Sequence, residues 1–228
     1  MARLPERIRR LVRPRDEKLA AELEWWQERR AAGGELEQGV PYYRWMFTDH
    51  FDLPLGFYRG KRLLDVGCGP RGSLEWADEA EERVGVDPLA WRYRLLHSRR
   101  QAMRYVRARA ERLPFPDEHF DVISTFNSLD HVDDVGAALS EIARVAKPGA
   151  TLLLLVDIDH EPTPTEPHRF GWDFPERLER NWELAERHDF ERPSDNLYDN
   201  LRDGRAFDHA DPAPRPGVLS ARLVRRGA

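Results

Sequence analysis

The chain is nearly without cysteine. Cys68 is the only one among 228 residues, so no intrachain disulfide can form, and a reducing, cytoplasmic setting is the matching expectation. No apolar run approaches the length needed to cross a bilayer, so no membrane role is expected. A basic excess is also missing. Lys and Arg total 36 against 41 Asp and Glu, a net charge of −5, which offers no general attraction to nucleic acid or to anionic lipid. The first fifteen residues are rich in arginine, but no apolar signal core follows them, and they read as a solvated, frayed end. No internal repeat and no second core pattern appear.

Against those absences stands one dense stretch, Leu-Leu-Asp-Val-Gly-Cys-Gly-Pro-Arg-Gly at residues 63 to 72. An apolar strand ends in a carboxylate and turns through closely spaced glycines. Glycine is required where the turn needs positive φ and where a ligand must approach bare backbone. The spacing Gly67, Gly69, Gly72 also fits the fingerprint of nicotinamide enzymes. Asp65 argues against that reading, because an acid at the mouth of the site would repel a pyrophosphate. The same acid suits a ligand with an ammonium and a sulfonium group, which points to S-adenosylmethionine.

The Leu-Asp-Val-Gly-Cys-Gly run resembles the first motif of the class I S-adenosylmethionine-dependent methyltransferases. The resemblance continues through Gly-Val-Asp-Pro at 85–88, Ala-Glu-Arg-Leu-Pro-Phe-Pro-Asp at 110–117, Phe-Asp-Val-Ile at 120–123, Asn-Ser-Leu-Asp-His-Val at 127–132 and Ala-Lys-Pro-Gly-Ala at 146–150. It covers roughly residues 60 to 157 in the family's order. It implies S-adenosyl-L-methionine as cofactor, with Gly67 and Gly69 against its methionine part and Asp65 holding its amino group directly or through water. Asp87, followed by Pro88, would bind the ribose hydroxyls through its two oxygens. Ala110 and Glu111 would border the adenine, since Arg109 stands where the family often carries an acceptor. Asn127 would border the methionine end. The third glycine, Gly72, falls one residue later than is usual in the family.

The order of elements is α/β. Strand candidates at 61–66, 83–86, 103–107, 120–126, 151–156, 182–190 and 218–224 predict a Rossmann-like, doubly wound, mostly parallel seven-stranded sheet. An N-terminal helical extension precedes it. Asp16 caps a helix bearing Leu19, Leu23 and Trp26 that stops at Gly33-Gly34. The aromatic run from Tyr42 to Phe51 reads as a helical lid or, equally, as core. A further helix is expected from about Ser73, and Asp173 and Glu176 are spaced as a capping box. Residues 1–57 are assigned to extension and lid, and 58–228 to the methyltransferase domain.

The expected activity is methyl transfer to an O or N atom of a small-molecule acceptor. A nicotinamide-dependent oxidoreductase and a non-catalytic, cofactor-binding regulatory module are the alternatives. Acceptor chemistry is sought in the loop after the fifth strand, where Asp157, Asp159, His160, Glu166 and His168 surround three prolines. His160, His168 and His131 are the candidate catalytic residues, because a neutral imidazole can take a proton near pH 7. Their spacing matches no metal signature, so no metal is expected. Cys68 reads as packing. Neither the acceptor nor the oligomeric state is legible.

Overall fold

The computed structural model describes residues 16–31, 39–96, 101–194 and 196–227, with backbone only for 39–42. Seven strands form one sheet: β1 (Arg62–Val66), β2 (Glu82–Val86), β3 (Arg104–Val106), β4 (Phe120–Phe126), β5 (Ala146–Ile158), β6 (Trp182–Glu191) and β7 (Gly217–Arg225). Their order is β3-β2-β1-β4-β5-β7-β6. The pairs from β3 through β5 are parallel, while β7 runs antiparallel between β5 and β6. The order reverses between β1 and β4, which is where an open α/β sheet leaves a crevice at the carboxyl ends of its strands. The expected architecture is the one observed.

The centre of the sheet is buried on both faces, and its sequence says why. Residues 152 to 155 of β5 are four consecutive leucines with no exposed surface, the continuous apolar run that a doubly covered strand needs. On one face, α4 (Val135–Val145) packs through Val135, Ala138, Leu139, Ile142 and Ala143. Asp134 caps it by accepting from the Ala137 N–H at 3.0 Å. On the other face lies α2 (Gly39–Phe47). Tyr43, Met46, Phe47 and Phe51 share a core there with Leu63, Leu153 and Leu155. The aromatic run is therefore core, with Phe47 at 4.9 Å from Phe126, and does not serve as the lid.

Two expected helices are replaced by turns. Between β1 and β2 only turns occur at residues 70–80. Leu74 is nevertheless fully buried, and the Trp76 indole donates to the Ser73 carbonyl at 2.9 Å. Residues Phe174–Leu178 form a 3-10 turn, and Asp173 makes no side-chain capping bond to it. Pro175 fixes φ at its start. The segment of Leu89, Tyr93 and Leu96 gives a single turn, α3 (Ala90–Tyr93).

The N-terminal helix α1 (Glu17–Ala31) starts where Asp16 accepts from the Lys18 and Leu19 N–H groups at 3.1 and 3.4 Å. Its expected end at Gly33-Gly34 lies outside the described residues. Leu23 of α1 packs with Leu89, Tyr93 and Leu96. That contact lays α1 along the loops that follow β1 and β2. The last described helix, α5 (Leu197–Asp203), brings Tyr198 next to Tyr43.

Candidate active site

The loop after β1 is built by glycine. Gly67 and Gly69 have φ of 75° and 54°, a region that L side chains rarely adopt. A Cβ on Gly67 would stand 2.2 Å from that of Ser128, so the β1 and β4 loops meet through bare backbone. The Ser128 hydroxyl donates to the Val66 carbonyl at 2.8 Å and locks that approach. Gly85 has a packing cause instead: a side chain there would strike Met103 at 2.4 Å and Cys68 at 2.7 Å. Cys68 is buried packing, and burial holds its thiol well above the usual range.

Asp65 is buried, and both of its oxygens are taken. One accepts from the Ser124 hydroxyl at 2.6 Å and the other from Ser73. Burial raises its pKa to about 6 despite those two hydrogen bonds. Its local role is thus to tie β1, β4 and the glycine loop together. Asp87 accepts from the Leu89 N–H at 2.7 Å and the Gly69 N–H at 3.3 Å. Burial holds its carboxyl well above the usual range, and the nearby Glu22 carboxylate pushes it the same way. Pro88 follows it in the turn that opens α3. Asn127, with φ 48°, leaves its Oδ1 buried without a partner among the described residues.

Ala110 is buried, and Glu111 is engaged by neighbouring backbone. Its Oε1 accepts from the Asp133 and Asp134 N–H groups at 2.6 and 3.2 Å, which steadies the entry to α4. Arg109 has a different task. It pairs with Asp133 and, at 2.8 Å, with Asp16 at the start of α1, while Lys18 reaches Asp133 at 3.3 Å. These charges clasp α1 over the crevice. Trp26 then sits 3.5 Å from where a Cβ on Gly69 would be, with the Arg71 guanidinium 5.3 Å from its ring. Glu22 points into the same space and accepts from the Tyr93 hydroxyl at 3.2 Å. Neither α1 residue was singled out for the cofactor site from the sequence. The only signal was the helical spacing of Trp26 with Leu19 and Leu23.

The loops after β4 and β5 meet beside this crevice. Glu166 stands between two imidazoles, 3.5 Å from His131 Nε2 and 3.6 Å from His160 Nε2. Asp130, buried and with its pKa raised by that burial, lies 4.0 Å from His131 Nε2. The Nδ1 atoms of His131 and His160 are both buried and have no hydrogen-bond partner among the described residues. His168 is not part of the cluster. Its Nε2 lies 2.9 Å from the Val132 carbonyl, and its ring stacks on Phe170, so it braces the loop. Thr163 and Glu166 exchange backbone hydrogen bonds at 2.9 and 3.2 Å, the turn that aims the Glu166 carboxylate inward.

Asp130, His131 and Glu166 offer three ligand atoms within 4.8 Å of one another, a set able to hold a divalent ion. A metal-bound histidine normally donates its other N–H to an acceptor. The His131 Nδ1 has none among the described residues.

Residues 64–154 match the family described as a methyltransferase domain. Over that stretch the chain is similar to the class I S-adenosylmethionine-dependent methyltransferases. The chain is 35% identical over 127 residues to the malonyl-[acyl-carrier protein] O-methyltransferase of Pseudescherichia vulneris, covering 54% of this chain and 50% of that protein. It is 41% identical over 87 residues to the ubiquinone/menaquinone biosynthesis C-methyltransferase UbiE of Shewanella oneidensis, covering 38% and 34%. The matched part thus spans half or less of either relative. Among solved structures, an S-adenosylmethionine-dependent methyltransferase from Mesorhizobium loti aligns over 81% of this chain and 96% of its own, with a TM-score of 0.55 at 20% identity. The family cofactor is S-adenosyl-L-methionine, and the crevice fits it. The orphaned Asn127 oxygen and the surrounding carboxylates call for a polar, cationic guest, and a nicotinamide pyrophosphate would be repelled.

Proposed function

We propose that the protein transfers a methyl group from S-adenosylmethionine to an oxygen or nitrogen of a small-molecule acceptor. The observation that carries this reading is the pair of imidazoles flanking Glu166, each with a buried, unpartnered Nδ1 beside the glycine loop. When bound, the cofactor supplies a methyl group on a sulfonium, which leaves as a neutral thioether. Gly67 and Gly69 would give its methionine part bare backbone, Asp87 would take the ribose hydroxyls, and Asn127 would receive a donor at the methionine end. Adenine recognition falls to the backbone around Ala110, because Glu111 is engaged elsewhere.

What the chain must add is position and a proton acceptor. Glu166 orients His131 and His160 and stabilises the imidazolium that forms, as a carboxylate does behind a histidine base. The imidazole then takes the acceptor proton as the new bond to carbon forms. The separations of 3.5 and 3.6 Å exceed hydrogen-bond length, and such contacts tighten when a substrate enters. Two relatives differ in acceptor atom, one named for O- and one for C-methylation. A base suits a hydroxyl or an ammonium, which must lose a proton.

The test is labelled methyl transfer from the cofactor to small-molecule extract fractions, run for the wild type and for Glu166→Gln. Transfer to a low-mass product that survives chelation by EDTA and falls in the variant supports the reading. Binding of the cofactor without transfer to any fraction would favour a cofactor-binding module instead.

A further inference from the structure

Glu22 is the one carboxylate in the crevice that comes from α1, outside the sheet domain. It accepts from the Tyr93 hydroxyl at 3.2 Å. Its electrostatic neighbours are Asp87 after β2 on one side and Asp130 and His131 after β4 on the other. It therefore stands between the residues proposed for the ribose and those proposed for methyl transfer. Three acids from three elements converge on that space, with burial opposing ionisation of each. Like charges gathered in a desolvated space repel one another unless a cation joins them.

The helix that brings Glu22 is weakly held. Among the described residues, α1 contributes Ala20 and Leu23 as its buried residues. Half-buried Leu19 and Trp26 add packing to that small cluster, Trp26 meeting the Tyr93 ring edge-on at 6.4 Å. The polar ties among the described residues include exposed ion pairs at Asp16 and Lys18, a cation–π contact at Trp26 and a hydrogen bond from Arg30 to the Leu95 carbonyl at 3.3 Å. Exposed pairs of this kind are individually worth about 0–1 kcal/mol. A single buried charge can therefore decide whether the helix stays down.

We propose that Glu22 makes α1 a charge-reading lid, closed on the cationic methyl donor and loosened by the neutral product. This rests on the methyltransferase reading above. During transfer the bond from sulfur to the methyl carbon breaks and its electron pair returns to sulfur. One positive charge leaves the cofactor, and the acceptor proton passes to the imidazole. Once the imidazolium has passed that proton on to solvent, the attraction that offsets the repulsion among Glu22, Asp87 and Asp130 is gone. Product release follows from the same residue that favours binding of the donor.

The experiment is calorimetric titration of the full chain with S-adenosylmethionine and, separately, S-adenosylhomocysteine. Glu22→Gln keeps the shape and the Tyr93 contact while removing the charge. The wild type is expected to prefer the donor by roughly tenfold, the effect of one charge pair in a partly desolvated site. In Glu22→Gln the two affinities should converge through weaker donor binding, with product affinity unchanged or higher. Arg30→Ala, whose contact is remote from the acids, should keep the wild-type ratio. Equal affinities in the wild type, or an equal loss of both ligands in Glu22→Gln, would overturn the charge-reading role. Failure of the folded wild type to bind either ligand would instead overturn the methyltransferase reading, and this one with it. The thermal midpoint of ligand-free Glu22→Gln should equal or exceed that of the wild type, since a repulsive buried charge has been removed. A lower midpoint would assign Glu22 a structural role and contradict the proposal.

Discussion

At the scale of single residues, burial decides what each acid can do. Asp87 offers its carboxylate to two backbone N–H groups and keeps lone pairs for a guest. Replacing it with Ala is expected to weaken cofactor binding by about 1.5–3 kcal/mol, the scale of lost charged hydrogen bonds; calorimetry on the folded variant checks this. Asp65 spends both oxygens on Ser124 and Ser73, so its replacement should register as lost stability before lost affinity. For the imidazole cluster, Glu166→Gln and His131→Ala are each expected to lower turnover by roughly a hundredfold, within the usual range for general base catalysis. Cofactor affinity should be unchanged, which separates kcat from binding. Gly85→Ala, facing Met103 at 2.4 Å, should cost about 1–3 kcal/mol by overpacking; denaturant unfolding measures it.

Between elements, the contrast lies between a sheet whose central strands are buried on both faces and a helix tied down in part by exposed charges. Arg109 joins Asp133 to Asp16, and its loss should loosen α1 without touching the acids beneath. Arg109→Ala is expected to weaken donor binding by about threefold, within the range of exposed ion pairs, and product binding by less. The effect should shrink in high salt, where such pairs are screened. Calorimetry at low and high ionic strength reads both.

The elements were legible to very different degrees. Every strand was visible in the sequence, because runs such as residues 152–155 admit one environment only. The glycine loop and Asp87 were visible because their spacing carries a backbone requirement. His131 and His160 were visible as residue types, but their meeting at Glu166 depends on the prolyl loop folding back across β4, which no local pattern encodes. His168, equally plausible in sequence, is drawn away by Phe170 and the Val132 carbonyl. The helix expected after Gly72 is a series of turns instead, with Leu74 buried and the Trp76 indole bonded to the Ser73 carbonyl. Glu22 and Trp26 were seen only as parts of a helix, since their role depends on where α1 docks.

For the whole molecule, the buried titratable groups act in opposite directions. Asp65 has a folded pKa of about 6, above its ordinary value, so the folded state binds the extra proton. Its contribution to stability falls as pH rises from about 4 through 6, by about 3 kcal/mol. His50, on the other face beside Ser220, is held down to about 4 by burial. Its contribution rises by about 3 kcal/mol as pH climbs from about 4 to 6.5. The contributions of these two groups nearly cancel across that window. Stabilisation by the cationic cofactor should behave otherwise. Glu22, Asp87 and Asp130 all have raised pKa values, so they ionise progressively above the ordinary carboxylate range. The cofactor-induced rise in thermal midpoint should be larger at pH 7.5 than at pH 5. A rise that is the same at both would show that the acids do not face the cation.

The account as a whole rests on the crevice between the ends of β1 and β4, under α1, being the cofactor site. Calorimetric titration with S-adenosylhomocysteine tests it most directly, because it needs no knowledge of the acceptor. One site per chain in the wild type, with affinity clearly lowered in Asp87→Ala, is the predicted result. No binding to the folded wild type at millimolar ligand, or binding untouched by Asp87→Ala, would contradict it.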